Sequence, residues 1–231
     1  MLNIEDMFKR QNILIGNDAF ERLKKANVLI VGLGGVGSYV VEAICRSGVL
    51  NIGLVDGDRV DISNINRQLC ATTKTLGRFK ADVLKERILD INPYANVRAY
   101  NLFYKENTMQ SINLREYNYV VDAVDDINAK LLLAIEATKH KVDIISSMGA
   151  GNRTNPTAFE VVDIFKTSNC PLAKIMRKKL KENGVSKLNV VWSRELPKKL
   201  NAKTIGSISF VPPVAGFIMA SKILKDIANL P

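Results

Sequence analysis

The stretch Asn27-Val28-Leu29-Ile30-Val31-Gly32-Leu33-Gly34-Gly35-Val36-Gly37-Ser38 is a short apolar run that ends in a glycine-rich loop. Gly32, Gly34 and Gly37 satisfy G-x-G-x-x-G, with Gly35 inside the motif. The next residues, 36–49, carry Val36, Val40, Val41 and Ile44 at helical spacing. A strand that feeds a helix through such a loop lets phosphates approach bare backbone amides at the positive helix N-terminus. Asp56 stands nineteen residues after Gly37, at the end of the next apolar run, 51–56. An acid there is placed to hydrogen-bond ribose hydroxyls. The pattern fits NAD, FAD or ATP, and also a glycine turn with a purely structural role.

Outward from this loop the chain alternates strand and helix. A helix is predicted over 79–91, stopped before Pro93, then a strand at 96–101 and a helix within 106–114. A strand at 117–122, a helix at 127–139 and a strand at 142–146 come next. Alternation of this kind implies right-handed crossovers and a mainly parallel, Rossmann-like α/β sheet covered on both faces. After Gly149 the rhythm changes: strands at 158–164, 188–192 and 207–211 surround one basic helix, 171–181, before a last helix at 214–227. These late strands predict an antiparallel or mixed extension of the same sheet. With no linker, repeat or low-complexity tract, one domain over 1–231 is expected, with a nucleotide-binding half, 1–150, and a basic half, 151–231.

Composition narrows the class. The 231 residues are 47% hydrophobic and 24% charged, enough for a substantial core. The opening Met1-Leu2-Asn3-Ile4-Glu5-Asp6 is mixed and acidic, unlike a secretory leader. The longest apolar stretch, 211–220, falls short of the roughly 20 residues of a spanning helix, so a cytosolic protein without membrane contact is expected. Cys45, Cys70 and Cys170 form no C-x-x-C pair, which argues against a disulfide framework or a four-cysteine zinc site. His140, the only histidine, lies between lysines and reads as a surface residue. The net charge is +10, and residues 166–203 hold eleven bases against Glu182 and Glu195, a local +9. Such a face suits a polyanion such as nucleic acid, or is simply a lysine-rich surface.

The chemistry is carried by the residues after Asp56. The segment Asp58-Arg59-Val60-Asp61-Ile62-Ser63-Asn64-Ile65-Asn66-Arg67-Gln68 lies beyond a strand's C-terminal end, the ligand edge of such sheets. Arg67 and Lys80 add two cations near the phosphates, more than a diphosphate needs and suited to a triphosphate attacked at phosphorus. Asp122 and Asp125 could hold Mg²⁺ through hard oxygens. The other role for Asp125 or Asp126 is to cap the next helix.

Taken together, GLGGVGS, LVDGD, SNINRQ, Lys80 within GRFKAD, and DAVDD resemble the adenylating enzymes of the ubiquitin-activating superfamily. Arg10, in FKRQNILIG, resembles that family's N-terminal arginine, which reaches a nucleotide across a dimer interface. The resemblance implies a homodimer with ATP and Mg²⁺ as cofactors. It places Gly34 and Gly37 along the nucleotide, Asp56 on the ribose, and Asn64, Arg67, Gln68 and Lys80 on the phosphates. Asp125 would serve the magnesium, and Arg67, Lys80 and Asp125 would act around the α-phosphate. The implied reaction is attack of a substrate carboxylate on that phosphate, giving an acyl-adenylate and pyrophosphate.

Two acyl substrates compete. One is the C-terminal glycine of a ubiquitin-like sulfur carrier, as in the thiamine and molybdopterin activating enzymes. Those usually carry two zinc-binding C-x-x-C pairs, absent here. The other belongs to the branch that dehydrates threonylcarbamoyladenosine next to the tRNA anticodon. The second half resembles that branch in SSMGAGNRTNPTAFEVVDIFKT, CPLAKIMRKKLK, LNVVWSRELP and GSISFVPPVAGFIMA. There the modification's own carbamoyl group displaces AMP and closes a ring, so no enzyme thiol is needed. The +9 region suits an anticodon stem-loop; a sulfur or redox protein partner stays unidentified. One departure stands out: many relatives have aspartate where this chain has Cys170. From other classes, a nicotinamide oxidoreductase and a non-catalytic tRNA-binding scaffold remain as rivals.

Overall fold

The computed structural model describes residues 3–231; Met1 and Leu2 of the opening stretch lie outside the described residues. Seven strands form one sheet in the order β3-β2-β1-β4-β5-β7-β6. They are β1 (Asn27–Val31), β2 (Asn51–Val55), β3 (Asn96–Tyr100), β4 (Tyr119–Asp122), β5 (Asp143–Ser147), β6 (Phe159–Asp163) and β7 (Asn189–Ser193). All neighbours pair in parallel except β6, which runs antiparallel to β7. The expected parallel sheet with a mixed C-terminal extension is therefore observed. The order of strands across the sheet reverses between β1 and β4, so a crevice opens beyond their C-terminal ends.

Side-chain alternation sorts the strands into two buried faces. Val28 and Ile30 of β1 and Val121 of β4 enter one core, while Leu29, Val31 and Val120 enter another on the opposite face. The first core packs under α4 (Gly37–Cys45), α5 (Lys80–Ile91) and α8 (Val211–Ala228). The other face is covered by α6 (Ile127–His140) and α7 (Pro171–Glu182), which buries Ala173, Met176 and Leu180 beside Trp192 of β7. Each such aliphatic side chain stabilises the fold by about 1.5–3 kcal/mol relative to an exposed position.

Three features differ from the sequence expectation. No α-helix forms within 106–114; the chain makes 3₁₀ turns at Met109–Ser111 and Leu114–Glu116. Thr108 Oγ1 accepts from the Lys105 N–H and donates to Phe103 O, and Asn113 accepts from the Arg115 N–H, so side chains satisfy the backbone locally instead of a helix. Residues 207–211 are not a strand. Val211 already starts α8, because Pro212 and Pro213 hold helical φ at the first turn where no N–H is needed. Thirdly, three N-terminal helices precede β1: α1 (Ile4–Met7), α2 (Lys9–Ile15) and α3 (Asn17–Lys25). Of these, α3 buries Ala19, Phe20 and Leu23, and its Arg22 donates to the Ala228 carbonyl at the end of α8. Among the described residues no helix is long and apolar enough to cross a membrane.

Candidate active site

The glycine loop is shaped by close backbone approach. Gly32 adopts φ +88°, and a Cβ there would lie 2.6 Å from the Ala123 backbone after β4. A Cβ on Gly37 would lie 1.8 Å from Gly32 O, so only glycine closes the turn. Gly34 has space on its cavity side, with Gln68 Nε2 the nearest atom, 3.8 Å from an added Cβ. The Gly34 and Gly35 N–H groups donate to no described residue.

A cavity of about 370 Å³ lies over this loop at the point where β1 and β4 diverge. It gathers Gly32, Gly34, Asp56, Asp58, Asn64, Arg67, Gln68, Lys80 and Asp125, drawn from four separate stretches of sequence. Lys80, the first residue of α5, is only 5% exposed and donates to Asp58 Oδ2 at 2.8 Å. Asp58 is over half exposed, so that pair opens into the cavity. Asp56 accepts from the Leu33 N–H at 2.7 Å and the Asp58 N–H at 2.8 Å, which ties the end of β2 to the glycine loop. Burial pushes its carboxyl above the ordinary range, against the nearby Lys80 charge and these two amides. Arg67 is steered by Ser63 O and Asn66 Oδ1, and Asn64 closes a capping box with Asp61.

Beyond β4, the two neighbouring aspartates divide their roles. Asp126 caps α6 by accepting from the Ala129 N–H at 2.8 Å. That leaves the exposed Asp125 carboxylate with no partner among the described residues, at the cavity wall. Among the described residues no cluster of three or more His, Cys, Asp or Glu could hold a metal by itself. The donor set fits a magnesium that takes one carboxylate, Asp125, and its other oxygens from phosphates and water.

Three expected contacts lie elsewhere, and Arg10, expected to reach across a dimer interface, lies outside its own chain's cavity. Gly35 packs toward Pro212 and the Arg67 stem, and Gly37 packs on Gly32; neither lines the cavity. Arg10 is exposed on α2 and does not reach the cavity within this chain. Asp122 requires a correction. It is 1% exposed, and both oxygens accept from Lys130 Nζ at 3.1 Å, with Ser146 Oγ donating to Oδ2. Lys130 is 0% exposed and also reaches Ser147 O at 2.7 Å. Asp122 thus serves the scaffold: it accepts from the Val124 N–H at 3.2 Å, fixing the loop that presents Asp125. No motif singles out Lys130, whose one signal in the sequence is a lysine set eight residues after a strand-end aspartate. Leu102, Phe103 and Lys105, which line the cavity after β3, belong to no motif either.

His140 lies at the far end of α6, accepting from Arg115 Nε and paired with Glu136, outside the cavity lining. All three cysteines are buried and unpaired. Burial pushes the Cys45 thiol up to about 12 and the Cys70 thiol up to about 11, so both stay protonated near neutrality.

A site with these parts has known counterparts. A Bacillus subtilis protein named tRNA threonylcarbamoyladenosine dehydratase is 42% identical, across 95% of this chain and 94% of its own. The crystal structure of Escherichia coli tRNA N6-threonylcarbamoyladenosine dehydratase in complex with AMP superposes with a TM-score of 0.93 at 30% identity, covering 99% of this chain and 98% of that one. The same enzyme in complex with ATP gives 0.89 at 31%, over 97% and 95%. Residues 8–231 match the ThiF family, and with its glycine loop, Lys80–Asp58 pair and presented Asp125 the chain belongs to that family.

Proposed function

We propose that the protein uses ATP to dehydrate threonylcarbamoyladenosine beside the tRNA anticodon, through an acyl-adenylate. The carrying observation is the convergence of Arg67, Lys80 and Asp125 on one cavity at the reversal point of the sheet. Gly34, the loop amides and Asn64 would hold the phosphates, Gln68 would orient them, and Asp56 would take the ribose. Phe103 and Leu102 offer the base an apolar wall. Arg67 and Lys80 would offset charge developing on the α-phosphate as the substrate carboxylate attacks and pyrophosphate leaves. Bound magnesium would add charge neutralisation at Asp125. The carbamoyl group then displaces AMP and loses a proton, so the departing carboxylate oxygen ends on the AMP phosphate.

The test incubates the protein with ATP, Mg²⁺ and tRNA whose modification carries an ¹⁸O-labelled carboxylate. Digested nucleosides should be lighter by one water, with the label found in AMP. Unchanged nucleosides would sink the proposal. Pyrophosphate exchange that depends instead on a carrier protein ending in Gly-Gly would establish the sulfur-carrier reading.

A homodimer forms part of the same proposal. Ile13 and Leu14 on α2 are 78% and 84% exposed beside Arg10, an apolar face suited to a second copy that would bring Arg10 to the neighbouring cavity. A chain that sediments as a monomer at micromolar concentration excludes it. The cytosolic setting expected of a tRNA enzyme belongs to this reading as well.

A further inference from the structure

A second cavity, of about 780 Å³, lies in the basic half at the start of α7. Its walls are two loops, 149–153 and 196–206, pinned together by Asn152. That residue adopts φ +56°, its N–H donates to Gly206 O, and its Oδ1 accepts from the Gly206 N–H. The Lys198 N–H also donates to Asn152 O, so this is a built site rather than a chance hollow.

Arg153 lines this cavity although only 4% exposed. Its Nε donates to Glu195 O and its Nη1 to the Gly149 and Gly151 carbonyls, while the buried Nη2 has no partner. A buried guanidinium held by three carbonyls, with one amino group left without a partner, places an uncompensated positive charge at the cavity wall, which favours an anion there. The N-terminus of α7 adds to it: Pro171 opens the helix, and Cys170 supplies no side-chain cap. Lys174, Arg177, Lys198 and Lys199 also line the cavity, and no carboxylate does. Leu172, Leu196, Pro197 and Ile205 provide apolar walls. A phosphate with a planar apolar body, a nucleotide, matches this combination.

Residues of both cavities line a third hollow between them. A groove of about 570 Å³ shares Arg67 with the nucleotide cavity and Ile205 with the basic one. A polynucleotide strand lying in this groove could place one residue at the α-phosphate site and another in the basic cavity.

We infer that the cavity formed by Arg153, the α7 N-terminus and Lys198–Lys199 is a second subsite that binds one nucleotide of the RNA substrate, its phosphate on Arg153 and its base on the apolar walls. This inference rests on the tRNA reading proposed above.

The test measures binding of a fluorescein-labelled anticodon stem-loop RNA to the full-length protein, with a non-hydrolysable ATP analogue filling the first cavity. Lys174→Glu/Lys199→Glu reverses two exposed charges at the second cavity. Lys178→Glu/Lys187→Glu reverses two exposed charges outside it. The expected result is at least a tenfold weaker Kd for the cavity pair and unchanged affinity for the analogue. The salt slope should also shrink by about 0.7 for each phosphate that is no longer neutralised. The control pair should lose no more than a few-fold. Equal losses for both pairs would mean a diffuse field and overturn the subsite, as would unchanged binding by the cavity pair. Absence of RNA binding by the unaltered protein would overturn the tRNA reading together with the subsite. Binding by the unaltered protein with no cavity-pair effect would overturn the subsite alone.

Discussion

Two lysine–aspartate pairs stand near the C-terminal ends of β2 and β4, the strands on either side of β1, and do opposite things. Lys80 and Asp58, 2.8 Å apart, share a lysine buried to the ammonium and a carboxylate in solvent. Lys130 and Asp122, 3.1 Å apart, are sealed at 0% and 1% exposure. In the first pair water solvates Asp58, so Lys80 can exchange its partner for a phosphate at little cost. In the second every Lys130 donor is taken by Asp122, Ser146 or Ser147, so the ammonium has nothing to offer a ligand. Like residue types at similar strand ends thus leave one lysine at the cavity wall and seal the other into the scaffold. The difference is burial of the acid.

The largest effect is expected from breaking the sealed pair. Lys130→Met leaves the Asp122 charge buried and unpaired, which costs about 3–5 kcal/mol. For a chain of this size that is a fall in Tm of about 6–20 °C, at roughly 2–4 °C per kcal/mol, readable by calorimetry. Adding Asp122→Leu to that variant should restore most of the loss, because the uncompensated charge is gone. A single variant that melts within a degree or two of the unaltered protein would show that the pair does not brace the Asp125 loop.

The open pair should separate activity from stability. Lys80→Ala is expected to slow pyrophosphate release about 10²–10³-fold, the range seen when one preorganised donor to a transition state is removed. Its Tm should stay close to the original, since the stranded Asp58 is solvated. The Tm gain on adding ATP should shrink as well, because ligand stabilisation falls as Kd rises. If Tm instead drops as far as in Lys130→Met, the contrast between the pairs collapses.

A third ionic cluster falls between these limits and gives the smallest effect. Glu42 is mostly buried and receives Arg87 at 2.7 and 2.8 Å and Arg46 at 2.7 Å. Burial opposes its ionisation, but the arginine hydrogen bonds outweigh it and hold the carboxyl below the ordinary glutamate range. A depressed acid stabilises the fold above its unfolded-state pKa, and that contribution is lost as the pH falls through the folded-state value. Glu42→Gln should therefore cost about 1 kcal/mol near neutrality. Melting curves of the two proteins should converge below the ordinary glutamate range; a gap of constant size down to about pH 3 would contradict the assignment.

The contrast also marks how much was legible in the residues alone. Lys80 could be found because GRFKAD, SNINRQ and a glycine loop occur together in one chain, each a short motif legible without the fold. Asp122 could not be told from Asp125 in the same way. Both lie in DAVDD, three positions apart, and only the burial of Lys130 beneath the strand turns one inward. The helix expected within 106–114 failed for a related reason, since Thr108 and Asn113 satisfy the backbone locally. The strand expected at 207–211 does not form: Ile208 and Phe210 remain partly exposed and no neighbouring strand pairs with them.

By itself the sequence determined the alternation of strands and helices, the glycine loop, and the short motifs that mark the family. Those are properties of local period, turn chemistry and short motifs, which act over a few residues. Tertiary structure decided which acid stands exposed at the cavity wall and which is sealed against Lys130. It also decided that Arg153, only 4% exposed, lines a cavity of the basic half. Burial and the pairing of charges depend on segments that meet only when the sheet closes, and no single stretch of the chain encodes them.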